Sequence, residues 1–424
     1  MAELEAKKKI IVIGGGFAGV SLVKKLDENL FDILLIDKIN HHQFQPLFYQ
    51  VATSQLEPAS ISFPLRNIFK HKKSLQIRLA RVDSIDCVRN EISTSIGDFS
   101  YDFLVIATGC TTNFFSNPTI EKNVFALKTT YDAIKIRNHI IHTFERLISA
   151  NSQERKSLLN LVIVGAGPTG VELAGAFAEI KNTILPKDYP GIDFSDFKIF
   201  LIEGGANTLS SMSDQAKLAS RKYLQKMGVQ IITETLVKNY NGSVLELSNG
   251  AVVNTKTVIW AAGITGNIIG GLPESCMTYG GRIKINRISQ IEGINNVFAV
   301  GDIALMQTPK YPDGHPQVAN VAINQAKNLA WNLKMLFLNK ETTEYEYKDL
   351  GSMATIGRNK AVVDLPSLKF KGYFAWLVWM FLHLMLILSV RNKLIIFINW
   401  AWAYLFKDTS LRLILKPIND KNDS

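Results

Sequence analysis

The sequence predicts an α/β chain with two Rossmann-like dinucleotide-binding domains and a C-terminal membrane-associating helical region. Three observations lead there. A short apolar run ends in Gly14-Gly15-Gly16, and the same device recurs at Gly165. Apolar runs alternate with helical patterns as far as about residue 348, as a doubly wound parallel sheet requires. Beyond that point the chain turns into tryptophan-rich apolar stretches flanked by cations.

The elements follow in order. KIIVI at 9–13 is short and wholly apolar before its glycines, the pattern of a buried parallel strand. FDILLID at 31–37 and YDFLVIA at 101–107 repeat it, the latter closed by Thr108-Gly109. A helical pattern over 130–150 leads into the polar stretch 151–156. NLVIV at 160–164, glycines, a helix and KIFLIE at 198–203 then restate the opening theme. Further strands are expected at 229–233, 257–262 and 297–300.

The chain has 424 residues, 47% hydrophobic and 20% charged, enough apolar surface for two or three folded domains and too much for a disordered chain. Three scattered cysteines, Cys87, Cys110 and Cys276, make neither a disulfide framework nor a zinc ribbon. MAELEAKKKI has no apolar core of a secretory signal, so a reducing compartment is expected. A net charge of +10 admits nucleic acid, an anionic membrane or acidic ligands as partners. From Pro366 onward eight Lys/Arg face three acids, a net +5, and four of the six tryptophans lie there. Cations beside Trp-rich apolar runs fit a bilayer interface more than a nucleic-acid groove.

Gly14-Gly15-Gly16-Phe17-Ala18-Gly19 follows its strand as G-x-G-x-x-G. Gly14 permits the tight turn, Gly16 the approach of a pyrophosphate and Gly19 the close packing of helix on sheet. Phosphates then lie on the N–H groups at the helix start. Asp37 ends the next strand, where an acid binds ribose hydroxyls. Gly165-Ala166-Gly167-Pro168-Thr169-Gly170 repeats the device, with Glu203 as its ribose acid. That acid lies further along than usual, and the segment 182–197, with Pro186 and Pro190, accounts for the excess as an insertion. An acid without a neighbouring Arg favours NADH over NADPH, because it repels a 2′-phosphate.

These residues resemble the two-dinucleotide-binding flavoproteins, whose first site holds FAD and second a nicotinamide cofactor. Ala107-Thr108-Gly109, Ala261-Ala262-Gly263 and NVFAVGD at 296–302 match further motifs of that superfamily. The resemblance implies that Val82, Thr108, Gly109, Gly301, Asp302 and Ala319 join the first loop around FAD, and that Gly263 joins the second around NADH. It also implies a split FAD domain at 7–115 and 264–347, an inserted NADH domain at 116–263 and the C-terminal region at 348–424.

Residues 38–60 contain no cysteine, which excludes the thiol relay of disulfide reductases there. The stretch HHQFQPLFYQVA at 41–52 instead resembles the type II NADH:quinone oxidoreductases, single-subunit and non-pumping. The paired His41 and His42 lack clustered ligands, so no metal is expected. VELAG at 171–175 matches the same family, whose glutamate lies near the nicotinamide–flavin stack, here Glu172. That carboxylate positions nicotinamide or assists proton delivery; near a helix start it can also serve the helix dipole alone. Where the family carries two glutamines lining its quinone site, this chain has Asn320 and Asn324, on one helix face at i, i+4.

YFAWLVWMFLHLMLILSV at 373–390 meets the lower limit for a membrane span, whereas LIIFINWAWAYLF at 394–406 is too short. With cations on all sides, two interfacial helices with Trp and Tyr at headgroup level fit better than a single span. The resemblance thus implies an enzyme that binds FAD and NADH and reduces a membrane quinone. It further implies a homodimer on the cytoplasmic face of the cell membrane, with no nucleic-acid partner. A sulfide:quinone oxidoreductase-like enzyme and an NADH-binding signalling flavoprotein with a basic partner surface are the alternatives.

Overall fold

The computed structural model describes residues 6–408 and 411–414; the tail charges Lys416, Asp420, Lys421 and Asp423 lie outside them. The chain divides into two compact units. The first comprises residues up to Gln43, Phe63–Thr111 and Ile264–Asp349; the second comprises Phe44–Ser62, Thr112–Gly263 and the chain from Leu350 onward.

The first unit is built on a five-stranded parallel sheet. Its spatial order is Val297–Ala299, Phe103–Ile106, Lys8–Ile13, Phe31–Asp37 and Leu75–Leu79. Alternate residues face opposite sides, which explains why these strands are apolar throughout. Ile10, Val12, Ile33, Leu35, Val105 and Phe298 pack under helices Phe17–Lys25 and Ala319–Phe337. Ile11, Ile13, Ile36, Leu104, Val297 and Ala299 face a second cluster with Ile85, Ile92, Ile283 and Met306. Ile85 and Ile92 come from a small antiparallel sheet, Val82–Asp86, Glu91–Thr94 and Gly97–Ser100. Its short, half-polar strands carry no apolar run, so the sequence patterns passed over it.

The second unit has its own five-stranded parallel sheet, in the order Phe125–Ala126, Thr257–Trp260, Asn160–Val164, Lys198–Ile202 and Val229–Ile232. Helix Thr130–Ser149 starts in a capping box, where Thr129 and Asp132 satisfy each other's backbone amides. The segment between helix Pro168–Thr183 and strand Lys198–Ile202 holds a short helix, Leu185–Asp188, and a turn. That is the insertion expected at 182–197. An antiparallel sheet of Ser352–Gly357, Lys360–Asp364 and Lys369–Gly372 packs on the Pro168 helix. The approach is so close that a Cβ on Gly175 would lie 2.2 Å from the Ile356 carbonyl oxygen.

The C-terminal apolar stretch forms two helices, Tyr373–Leu386 and Val390–Phe406. The first stops four residues short of the expected run because Ile387 is extended. Its 14 residues rise only about 21 Å, less than a hydrocarbon core of about 30 Å. No helix among the described residues is long and apolar enough to cross a membrane. Phe374, Leu377, Phe381 and Met385 on the first helix, and Leu394, Phe397, Ile398 and Leu405 on the second, are among the exposed apolar residues. The tryptophans divide differently from the expected headgroup belt: Trp379 and Trp400 are buried, Trp376 is half-buried and only Trp402 is largely exposed.

Gly175→Ala forces a methyl group into the Ile356 backbone, and we expect a loss of about 2 kcal/mol or more in denaturant unfolding. Gly191→Ala, at a turn with open space around the added carbon, serves as the neutral comparison.

Candidate functional site

The first glycine loop joins strand Lys8–Ile13 to helix Phe17–Lys25. Gly14 has a φ of +108°, and its amide donates to the Ile36 carbonyl at 2.8 Å. A Cβ on Gly19 would lie 1.8 Å from the Gly14 carbonyl oxygen, so no larger residue fits there. At Gly16 the position of a Cβ is open space, and no side chain caps the helix that begins beside it at Phe17 and Ala18. Open space over uncapped amides is the cradle that a pyrophosphate needs.

The Asp37 carboxylate holds the loop from below. Its Oδ2 accepts from the Gly15 amide at 2.5 Å and its Oδ1 from Ile39 at 2.9 Å. Burial pushes this carboxyl up, against the backbone amides of Gly15, Ile39 and Lys38 that pull it down. Each oxygen keeps a lone pair for a ribose hydroxyl. His42 is part of the same support: its Nδ1 lies 3.1 Å from the Gly15 carbonyl, and its ring meets Phe17 edge-on. Burial lowers its pKa to about 4, so the ring is neutral.

Of the other residues expected around this loop, Thr108 and Gly301 lie against it. The Ala107–Thr108 backbone closes against Gly14, and the Thr108 hydroxyl donates to the Asn267 carbonyl at 2.8 Å. Gly109, at φ +66°, accepts from the Asn267 amide. Gly301, at φ +79°, faces Ala18 and Ala322, and its amide donates to Gln325 Oε1 at 2.8 Å. Asp302 Oδ2 accepts from the Cys110 thiol, and Gln317 donates to the Asp302 carbonyl. Val82 is half-buried against the sheet's second face. Ala319 opens the helix Ala319–Phe337 without a side-chain cap. Asn320 and Asn324 are half-buried on that helix, and Asn324 Oδ1 accepts from Lys327. Sequence reading missed Asn267 and Gln325, whose partners are distant in the chain.

The second loop, in the other unit, reproduces the first. Gly165 has a φ of +98°, a Cβ on Gly170 would lie 1.8 Å from the Gly165 carbonyl oxygen, and Gly167 is open. Pro168 takes the first helical position, where a missing N–H costs nothing, and Thr169 beside it is exposed. Glu203 plays the part of Asp37, with Oε2 accepting from the Ala166 amide at 2.6 Å and Oε1 from Gly205 at 2.8 Å. Gly263, at φ +82°, accepts from the Asn113 amide and sits beneath the exposed Phe115 ring. Both loops therefore fit a dinucleotide by the same three features: an open glycine, uncapped amides and an acid pinned under the turn.

Glu172 lies one turn into the Pro168 helix and is buried. Its Oε1 accepts only a long bond, 3.4 Å, from the Thr355 amide. Burial raises its pKa to about 8 in spite of that donor, so it holds its proton at neutral pH. It lines a cavity of about 360 Å³ with Tyr49, Glu179, Arg358, Trp379 and Trp400. Glu179 sits two turns further along the helix, accepts from the Arg358 amide, and is also pushed up by burial. Tyr49 is held by Gln50, which in turn accepts from the Trp400 indole at 2.8 Å. Burial and the nearby Glu172 push the Tyr49 phenol well up. His383 stacks on Trp379 with ring centres 4.1 Å apart, and burial lowers its pKa to about 4. The one sequence signal for Glu179 is its i+7 spacing from Glu172, which puts both on one helix face.

Comparison with known proteins bears on both units. A family model described as pyridine nucleotide-disulphide oxidoreductase matches residues 8–326, and one described as NDH2 C-terminal domain matches 350–407. The type II NADH:quinone oxidoreductase Ndh of Mycobacterium tuberculosis is 32% identical over 420 residues, covering 95% of this chain and 89% of that protein. The external NADH-ubiquinone oxidoreductase 2 of Saccharomyces cerevisiae mitochondria is 27% identical, covering 96% and 82%. The structure of NDH2 from Plasmodium falciparum in complex with NADH matches with a TM-score of 0.88 at 22% identity, covering 95% and 99%. The sulfide:quinone oxidoreductase of Aquifex aeolicus matches with a TM-score of 0.70 at 21% identity, covering 95% and 96%. These two structural likenesses carry the fold.

The Glu172 carboxyl makes stability depend on pH. The unfolded chain loses this proton from about pH 4.5 upward while the folded chain keeps it to about pH 8, so stability falls across that window. Glu172→Gln removes this slope. Its melting temperature should exceed the parent's by roughly 3 °C or more at pH 8 and match it near pH 4.5.

Proposed function

We propose that this chain, which belongs to the type II NADH:quinone oxidoreductase family, oxidises NADH and passes two electrons through FAD to a membrane quinone without pumping protons. The observation that carries this reading is the pair of complete dinucleotide loops, each with its own acid, in a chain of that family. FAD belongs with residues 7–115 and 264–347, NADH with 116–263, and the membrane surface with 348–424.

FAD, when bound, supplies the redox chemistry between a two-electron hydride donor and the quinone. The chain supplies position, charge and protons. Gly14, Gly16, Phe17, Ala18 and Gly19 hold the FAD pyrophosphate on backbone amides, and Asp37 holds the adenosine ribose. Val82, Thr108, Gly109, Gly301, Asp302 and Ala319 complete that binding site. Gly165, Gly167, Pro168, Thr169, Gly170 and Gly263 do the same for NADH, and the Glu203 carboxylate repels the 2′-phosphate of NADPH. Glu172 carries its proton at neutral pH and releases it above about pH 8, the range a proton donor to a reduced quinone oxygen needs. The amides of Asn320 and Asn324 offer donors to quinone carbonyls.

The chain acts on the bilayer surface, as a homodimer on the cytoplasmic face. Support for the surface comes from the exposed apolar residues of the two C-terminal helices, bordered by Lys369, Lys371, Arg391 and Lys407. Sulfide oxidation is disfavoured because Cys110 pairs with Asp302, and the three cysteines form no disulfide with one another.

Steady-state turnover with a short-chain quinone tests this reading. NADH should be oxidised with a kcat/KM at least tenfold above that of NADPH, and Glu203→Ala should narrow the gap. Turnover with sulfide in place of NADH would overturn it. Deleting the C-terminal helices would remove the buried Trp379 and Trp400, so substitution is the cleaner test of the membrane surface. Combining Phe381→Gln, Phe397→Gln and Leu405→Gln should weaken vesicle binding at least tenfold and leave flavin reduction by NADH intact.

A further inference from the structure

We propose that a second cavity, in the unit containing the Pro168 helix, binds a long-chain anionic amphiphile whose acidic head is held by Arg137. The cavity measures about 520 Å³, within the roughly 300–1,000 Å³ of small-molecule sites. Its lining is mixed: Ile140, Ile141, Phe144, Phe177 and Leu413 form apolar wall, and polar side chains line the rest. Helix Thr130–Ser149 supplies one side. The buried stripe on that helix comprises Ala133, Ile136, Ile140, Ile141, Phe144 and Leu147 with two threonines, Thr130 and Thr143, and Arg137 is the one charged residue within it.

Arg137 is only 8% exposed. Its Nε and Nη2 both lean on one neutral acceptor, the Asn138 side-chain oxygen, at 3.3 Å. Among the described residues no carboxylate forms an ion pair with it, and burial lowers its pKa with no opposing acid. The two acids on the cavity wall are engaged elsewhere. Glu145 accepts from the Tyr189 hydroxyl at 2.7 Å, and Asp188 takes both Nε and Nη2 of Arg412. A buried guanidinium without an anion is costly, and a carboxylate or phosphate meeting its fork relieves that cost. An acidic head at Arg137 with a hydrocarbon chain along the isoleucine and phenylalanine walls satisfies both halves of the cavity. A neutral quinone satisfies only the apolar half. This inference stands apart from the electron-transfer reading, since none of these residues belongs to the nucleotide loops.

The test uses the full-length, flavin-loaded protein freed of lipid, titrated by calorimetry below the ligands' micelle concentrations. Oleate and lysophosphatidylglycerol distinguish a free fatty acid from a phospholipid, and methyl oleate and inorganic phosphate each supply half of the chemistry. At least one of the two acidic amphiphiles should bind one per chain, at least tenfold tighter than methyl oleate or phosphate. Arg137→Gln should weaken that binding tenfold or more, and Arg137→Lys should weaken it less. Ile141→Trp, which fills the cavity and keeps the charge, should abolish it. NADH-dependent flavin reduction in each variant reports that the fold is intact. Equal binding of methyl oleate, equal binding of phosphate alone, or unchanged affinity in Arg137→Gln would overturn the proposal.

Discussion

The contact on which both nucleotide loops depend is the approach of one glycine to another's carbonyl. A Cβ on Gly19 or on Gly170 would stand 1.8 Å from the carbonyl oxygen of Gly14 or Gly165. Only with hydrogen at that position can the helix start directly above the strand, with its free amides facing outward. A carboxylate from the next strand then ties down the turn, Asp37 through the Gly15 amide and Glu203 through the Ala166 amide. The acid thus does two things at once: it fixes the loop that cradles phosphate, and it keeps lone pairs for a ribose. That double duty accounts for the placement of each acid at the end of the strand paired with the one leading into its loop.

Most of the framework was legible because parallel strands buried on both faces must be apolar without interruption. The runs at 31–37 and 160–164 coincide with the observed strands, and the others differ by a few residues at their ends. Where that rule does not apply, the sequence was silent. The antiparallel sheet at Val82–Ser100 covers one face with short, half-exposed strands, and nothing in its pattern marks it. Around Glu172, the cavity draws Tyr49, Thr355, Trp379 and Trp400 from segments far apart in the chain. Such a wall exists only through tertiary packing. Gln325 illustrates the same limit. It adjoins Asn324, but one helical step turns it inward, where it holds the Gly301 amide.

The C-terminal helices divide their aromatic residues between interior and exterior. An apolar, Trp-rich stretch beside cations suits a bilayer surface, and its outer residues are exposed accordingly. Trp379 and Trp400, however, are structural: one stacks on His383 and the other hydrogen-bonds to Gln50. The same helices therefore build part of the wall around Glu172 and also offer apolar residues outward.

Electrons from NADH reach a quinone by way of the flavin. Anaerobic mixing in two steps, followed by flavin absorbance, tests it most directly. Stoichiometric NADH should bleach the flavin absorbance of the loaded protein, and a short-chain quinone added afterwards should restore it, one equivalent for each equivalent of NADH. A flavin that NADH leaves unbleached, or that stays bleached in the presence of quinone, would contradict the account.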